Sequence, residues 1–319
     1  MPKKRGERLR HTGHSRPMMI VPIIASIVLV VAFFLFDPSF LLRKDRLTVV
    51  WATEPVWVTT IDSSDGSIVN IRIPSDAYVS APYGLGQYRI GVLWRLGKIE
   101  KKSGAVLAGA VKTFLGAPVD GWIGKENDTP KIDESGLRLV EMLKQTFFTP
   151  RSFFQNSPTN LSPLQRLYLW WHLGHARAAS VVTVDLRSEQ VFTPIGLADD
   201  TEAVIGDIAL VDKVSQRLFR ESSIEDNSIV FRVYNSSKAI GLGNNVARIL
   251  TNIGLHVISV GNGEAKKACS ISAPAKWMKD KSIMRVASLF HCTVDAHGAN
   301  GNWEVGIYVG SDVADHDYL

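Results

Sequence analysis

Charge is missing altogether from one stretch of the sequence: Pro17 to Phe36, PMMIVPIIASIVLVVAFFLF, holds no Asp, Glu, Lys or Arg. Cysteine is nearly missing too, with Cys269 and Cys292 the two in 319 residues. Neither has a second cysteine two to four residues away, which excludes the paired spacing of a structural zinc site. No Gly-x-Ser-x-Gly occurs, so the nucleophile elbow of serine hydrolases is excluded. Gly241-Leu242-Gly243 lacks both a third glycine and the Lys-Ser ending of a phosphate loop, and tight turning is its simpler reason. A basic surplus is also lacking where it would matter for nucleic acid. The net charge of +5 resides in the first sixteen residues, where Lys3, Lys4, Arg5, Arg8, Arg10 and Arg16 face one acid, Glu7. The rest of the chain is close to neutral, and no nucleic-acid partner is expected.

What is present begins with the charge-free run itself. At ~1.5 Å of rise per residue, twenty apolar residues cover roughly the 30 Å hydrocarbon core of a bilayer. The run predicts a single transmembrane helix over 17–36, with the lipid bilayer as a partner. The basic tail, 1–16, outweighs Arg43, Lys44 and Arg46 on the other side, so the N-terminus is expected in the cytoplasm and the remainder outside it. A cleaved signal peptide is the alternative. It wants a shorter run and a small-residue cleavage site, whereas this run leaves through Phe33-Phe34-Leu35-Phe36-Asp37-Pro38.

After a linker, 37–46, Leu47 to Trp51 begins a β region. Val56 to Ile61 and Ser67 to Ile73 are rich in β-branched residues and flank Asp62-Ser63-Ser64-Asp65-Gly66, which predicts a hairpin. Tyr88 to Gly97 reads as helical. Ser103 reads as the N-cap of a helix whose apolar positions, Val106, Leu107, Ala110, Val111, Phe114 and Leu115, share one face and which Gly116 and Pro118 stop. Val119 to Ile123 returns to the sheet, Ser135 to Phe148 is helical, and Pro163 opens a helix apolar nearly all round. Val181 to Leu186 alternates as a strand, and a long helix is expected from Asp200 or Thr201 through Leu218. Polar residues 222–227 mark a domain boundary. Beyond it, the strand Ile229 to Tyr234, a helix with Leu242, Val246, Ile249, Leu250 and Ile253 on one stripe, Gly254, and the strand Leu255 to Val260 make a βαβ unit. A helix over 282–290 and two strands, 291–296 and 303–309, joined through 298–302, complete a small two-layer domain.

The strand ending at Asn235, Gly241-Leu242, Gly254 and the closing Ile307-Tyr308-Val309-Gly310-Ser311-Asp312 resemble the C-terminal domain found in proteins of the LytR-CpsA-Psr class, over 228–316. The preceding domain, 47–221, is similar to a reduced form of that class's catalytic domain. Its likeness lies in Ile73-Pro74-Ser75-Asp76, Tyr88-Arg89-Ile90-Gly91 and Leu115-Gly116-Ala117-Pro118-Val119-Asp120. Active members move glycan polymers from polyprenyl pyrophosphate to peptidoglycan with arginines and a metal-binding acid. Fixed positive charge and a divalent ion suit the charge that builds on such a leaving group. The family's Ile-Pro-Arg-Asp has Ser75 at the arginine here, Gly91 replaces the usual asparagine, and Arg151 and Gln155 stand isolated in a loop. A serine offers no charge in place of a guanidinium.

The resemblance therefore implies an α/β chain: a single transmembrane helix, a mixed-sheet domain, then the small domain on its βαβ unit. The expected function is a membrane-anchored, extracytoplasmic envelope protein that binds or scaffolds without turnover, its partners being wall glycan, polyprenyl lipid or envelope proteins. No cofactor is expected. The alternative is an active glycan phosphotransferase using Asp76, Arg89 and Arg72, and magnesium enters only with that alternative. His172 and His175 could hold a metal but lack an evident third ligand, so no metal site is expected. Asp295, His297, Asp315, His316 and Asp317 could bind a cation, though such a tail is commonly solvated. Tyr168, Trp170 and Trp171 could stack on sugars, with core packing the commoner role. A disulfide between Cys269 and Cys292 is expected from the oxidising compartment, the lack of competing thiols and their placement on either side of one helix. Two buried free thiols are the alternative.

Overall fold

The computed structural model describes residues 46–126, 128–148, 158–198, 200–221, 224, 229–297 and 304–316, together with Pro22, Ser26 and Val28. Those last three are helical, and the rest of the charge-free run lies outside the described residues. Among the described residues, no helix is long and apolar enough to cross a membrane.

β-Branched and aromatic residues build the first sheet from β1 (Arg46–Trp51), β2 (Val56–Asp62) and β3 (Ile68–Ile73), paired antiparallel in sequence. Ser64 and Ser67 donate to the Asp62 and Asp65 carboxylates, which closes the predicted turn between β2 and β3. β1 and β2 are buried along nearly their whole length, so both faces of the sheet are covered. Several of their interior polar groups bond to one another. Trp51 Nε1 donates to Thr59 Oγ1 at 2.8 Å, which in turn donates to Asn70 Oδ1 at 2.7 Å.

A second sheet begins with β4 (Ala77–Ala81) and β5 (Gly86–Arg89), a hairpin where helix alone is expected from Tyr88 onward. The helix α1 starts only at Leu93 and runs to Ile99. α2 (Ala105–Leu115) follows, with nearly every side chain buried between the sheets. Its N-cap is Gly104, without a side-chain bond, and Ser103 takes φ +48° instead of capping. Gly116 ends α2 at φ +56°, as a left-handed C-terminal residue does. β6 (Gly121–Ile123) then pairs parallel to β1.

α3 (Gly136–Phe147) and α4 (Pro163–His175) pack together. A reciprocal bond between Ser162 and Gln165 caps α4. α4 is less enclosed than its composition suggests, since Tyr168, Leu169, His172 and Leu173 are buried while Leu164 is exposed. β7 (Val181–Asp185) joins the far edge of the first sheet, whose order is β6-β1-β2-β3-β7. β8 (Phe192–Gly196) and β9 (Glu202–Gly206) complete the second sheet as β5-β4-β9-β8. Residues 202–206 are thus strand, where a helix from 200 or 201 is expected. α5 (Ile208–Phe219) begins at the N-cap Asp207, whose carboxylate accepts from Ala209 N and Leu210 N.

The βαβ unit forms as read, from β10 (Val230–Asn235), α6 (Leu242–Asn252) and the parallel β11 (His256–Asn262). Its helical stripe, Leu242, Val246, Ile249, Leu250 and Ile253, is buried throughout. β12 (Ser270–Pro274), α7 (Lys281–Phe290), β13 (Thr293–His297), β14 (Glu304–Val309) and α8 (Ser311–His316) follow. The sheet order is β11-β10-β14-β12-β13, so β13 and β14 are not neighbours as their sequence order suggests. β14 lies between β10, parallel, and β12, antiparallel.

Residues 45–319 form one compact unit. Its joint is polar. From α6, Arg248 donates to Phe114 O at 2.8 Å and to Thr113 O, and pairs with Asp212 at 2.7 Å. Asn252 donates to Gly116 O at 2.9 Å and to Asp212 Oδ1 at 2.9 Å. Ser215 on α5 donates to Leu115 O at 2.7 Å. The carbonyls left over at the end of α2 are therefore capped by other helices.

Candidate functional site

Ile73-Pro74-Ser75-Asp76 makes the tight passage from β3 to β4, closed by Ala77 N donating to Pro74 O at 3.0 Å. Gly91 lies against it: Gly91 N donates to Ser75 O at 3.0 Å, and a Cβ on Gly91 would stand 2.9 Å from Ser75 Cβ. The two positions that depart from the expected motifs therefore pack on each other, and no side chain fits between them.

Asp76 is part-exposed and both its oxygens accept from Arg187 Nη2, each at 2.6 Å. Its carbonyl accepts from Val204 N at 3.1 Å, tying it to β9. Arg187 sits in the turn after β7, held by its backbone N–H to Asp185 Oδ1 at 2.9 Å. Asp185 also pairs through Oδ2 with Arg72 Nη1 at 2.9 Å, and Arg72 reaches Asp133 at 2.9 Å on its other side. Arg72 and Asp185 are register partners across β3 and β7, which explains their meeting. Arg89, on β5, donates to Glu202 O at 3.0 Å and to Thr201 Oγ1.

Of the three residues singled out in the sequence, Asp76, Arg72 and Arg89, none pairs with another. Asp76 takes Arg187, a residue that no local pattern marks because 111 positions separate them. In this group Asp76, Asp133 and Asp185 thus share two guanidinium groups, those of Arg187 and Arg72, while Arg89 stands apart on neutral acceptors. Behind it, Val50, Val58, Ile71, Ile73, Ala77, Ile90, Leu93, Val106 and Val111 are each at most 1% exposed.

The remaining candidates resolve locally. Nδ1 of His172 donates to Tyr168 O at 3.0 Å and that of His175 to Trp171 O at 2.8 Å, each within α4. Tyr168 is core, while Trp170 and Trp171 are half-buried. Gly241 turns the chain into α6 at φ +80°. No cluster of three potential metal ligands occurs among the described residues. Arg151, Gln155 and Asp317 lie outside them, as do the side chains of His297, Asp315 and His316. Cys269 and Cys292 form the expected disulfide, with Cα atoms 4.5 Å apart. It joins the start of β12 to the residue before β13, and both cysteines are nearly fully buried.

No family profile matches the sequence. No curated protein sequence matches it either. Solved structures that resemble it include proteins of the LytR-CPS2A-psr class, the class that the motifs suggest. Bacillus subtilis TagV is 13% identical, the match covering 55% of this chain and 96% of TagV at a TM-score of 0.40. Bacillus subtilis TagT is 15% identical over 57% of this chain and 91% of its own, at 0.38. A structure of TagT with bound octaprenyl pyrophosphate lipid is 14% identical, over 57% of this chain and 91% of its own, also at 0.38. At these values the likeness carries no argument about what this chain does.

Proposed function

We propose that this chain is a single-pass, extracytoplasmic envelope protein that binds or scaffolds wall glycan, polyprenyl lipid or envelope proteins without turning them over. One observation carries the non-catalytic part: Asp76 is neutralised on both oxygens by Arg187, in a group where three carboxylates share two guanidiniums. A diphosphate leaving group needs unspent positive charge, and the two arginines nearest Asp76 in the ion-pair chain, Arg187 and Arg72, are both spent on carboxylates. The Ser75–Gly91 contact, which leaves no room for a side chain at position 91, supports the same reading. The anchor rests on the charge-free run and its basic flank.

Incubation of the full chain with a glycan on polyprenyl pyrophosphate and magnesium should give no transfer. Turnover that Asp76→Ala abolishes would establish the phosphotransferase instead. For the topology, protease added to protoplasts should remove residues 47–316 and spare a tag at Met1; the opposite pattern would reverse the orientation.

A further inference from the structure

Between α1 and α2 the chain reverses in five residues, 100–104. Gly97 permits this, because a Cβ there would stand 1.9 Å from Ser103 O, and Lys102 N closes the turn on Gly97 O at 2.8 Å. The reversal pushes Ile99, Glu100, Lys101 and Lys102 outward as a knuckle. Ile99 is 69% exposed, and Val92, seven residues earlier, is 42% exposed. Around this apolar pair stand Arg95, Lys98, Lys101 and Lys102, all exposed, against one acid, Glu100. Among the described residues none of these cations pairs with a carboxylate. Lys102 lies 3.8 Å from the centre of the Tyr83 ring and Lys98 5.6 Å from that of Trp94.

Two features set this knuckle apart from an ordinary solvated helix end. Lys101 takes φ +57°, a left-handed conformation that glycine or asparagine adopts more readily, so a cation is kept where a better turn former fits. Exposed isoleucine and valine also sit in the middle of the cations. Apolar side chains have no use against a soluble polyanion, whereas at a bilayer they enter the boundary between headgroup and acyl chain while lysines meet phosphate. We propose that the α1–α2 knuckle is a second membrane contact, separate from the charge-free run, and that its partner is the surface of an anionic lipid bilayer. Val92 directly follows Gly91, so the contact adjoins the Ser75–Gly91 junction.

The test uses the full chain carrying Ile99→Cys. Because Cys269 and Cys292 are bonded to each other, the new thiol is the one available to a polarity-sensitive fluorophore. The labelled chain is mixed with vesicles of phosphatidylcholine alone or with half phosphatidylglycerol, and a label at Lys238→Cys serves as control. The knuckle label should shift to the blue and be quenched by lipid-borne quencher in the anionic vesicles, with the control label unchanged. This readout holds whether or not the charge-free run embeds, so it separates the knuckle from the anchor. Lys101→Gly, which keeps the left-handed backbone, combined with Lys102→Gln should lower the inserted fraction about 25-fold, at about fivefold per charge. Equal response in neutral and anionic vesicles, or none in either, would overturn the proposal. So would a response to inorganic polyphosphate without one to vesicles, which would assign the patch to a soluble polyanion.

Discussion

Asn252→Asp changes one atom and inverts a hydrogen bond at the joint of the molecule. Asn252 is 1% exposed and its amide nitrogen faces three acceptors: Gly116 O at 2.9 Å, Asp212 Oδ1 at 2.9 Å and Leu115 O at 3.4 Å. An oxygen in that place can donate to none of them. Losing the bond to Gly116 O leaves a buried carbonyl unsatisfied, at about 1–3 kcal/mol. A second carboxylate beside Asp212 adds repulsion, offset in part by Arg248, which lies 2.7 Å from Asp212. The total comes to about 3–4 kcal/mol, against about 1–2 for Asn252→Ala, which removes the donor without adding charge. At roughly 2–4 °C per kcal/mol for a chain of this size, the melting temperature should fall by about 6–16 °C for the aspartate and half that for the alanine. Thermal unfolding followed by tryptophan fluorescence at pH 7 and at pH 4.5 is the assay. The new carboxyl binds its proton more tightly folded than unfolded, so the aspartate variant should recover stability relative to the parent as pH falls. An aspartate variant as stable as the alanine one at pH 7, or one that weakens further toward pH 4.5, would refute the capping argument.

Gly91→Ala should cost about 1–3 kcal/mol, since its methyl would meet Ser75 Cβ at 2.9 Å and the fixed Ser75 O at 3.1 Å. Adding Ser75→Gly should return part of that in the same melting assay. Replacing both cysteines by serine opens a loop of about two dozen residues and should cost ~3 kcal/mol in the chain-entropy picture, measurable by comparing oxidised, reduced and double-serine protein in urea. Burial pushes the Asp62 carboxyl up, but hydrogen bonds from the Ser64 hydroxyl and amide and the Arg46 guanidinium outweigh it and leave its pKa below 3.8. A depressed acid stabilises the fold above its unfolded value and loses that contribution as pH falls through the folded one. Asp62→Asn should therefore lower stability at pH 7, and its difference from the parent should shrink as pH falls below the ordinary carboxylate range, as read from urea midpoints.

Elements whose partners are near in sequence were legible. The β2–β3 hairpin, the stripe of α2, the start of α4 at Pro163 and the βαβ unit follow from periodicity and turn chemistry. The second sheet was not, because β4 and β9 are short and pair across more than a hundred residues. The misreading of β9 has a specific cause: Val204, Ile205, Ile208 and Val211 have helical spacing, although a strand ends and a helix begins between the second and third of them. Asp207 is the better marker, an N-cap that outweighs the apolar pattern. At the candidate site, the motifs located Asp76 and the turn around it. They could not show Arg187, which reaches Asp76 only because β7 pairs with β3. The disulfide was legible because two cysteines allow one pairing within the chain.

The order β11-β10-β14-β12-β13 places the last strand to be synthesised inside its sheet, between partners made much earlier. Until residues 304–309 arrive, β10–β11 and β12–β13 are two separate strand pairs, each with an unfilled inner edge. The Cys269–Cys292 bond spans the second of these pairs and does not include β14. The oxidation can thus be completed before the sheet is, and it holds together the pair on which the arriving strand lays its antiparallel edge. A chain cut before Glu304 would lose more than a terminal strand: it would lose the keystone that turns two ribbons into one layer.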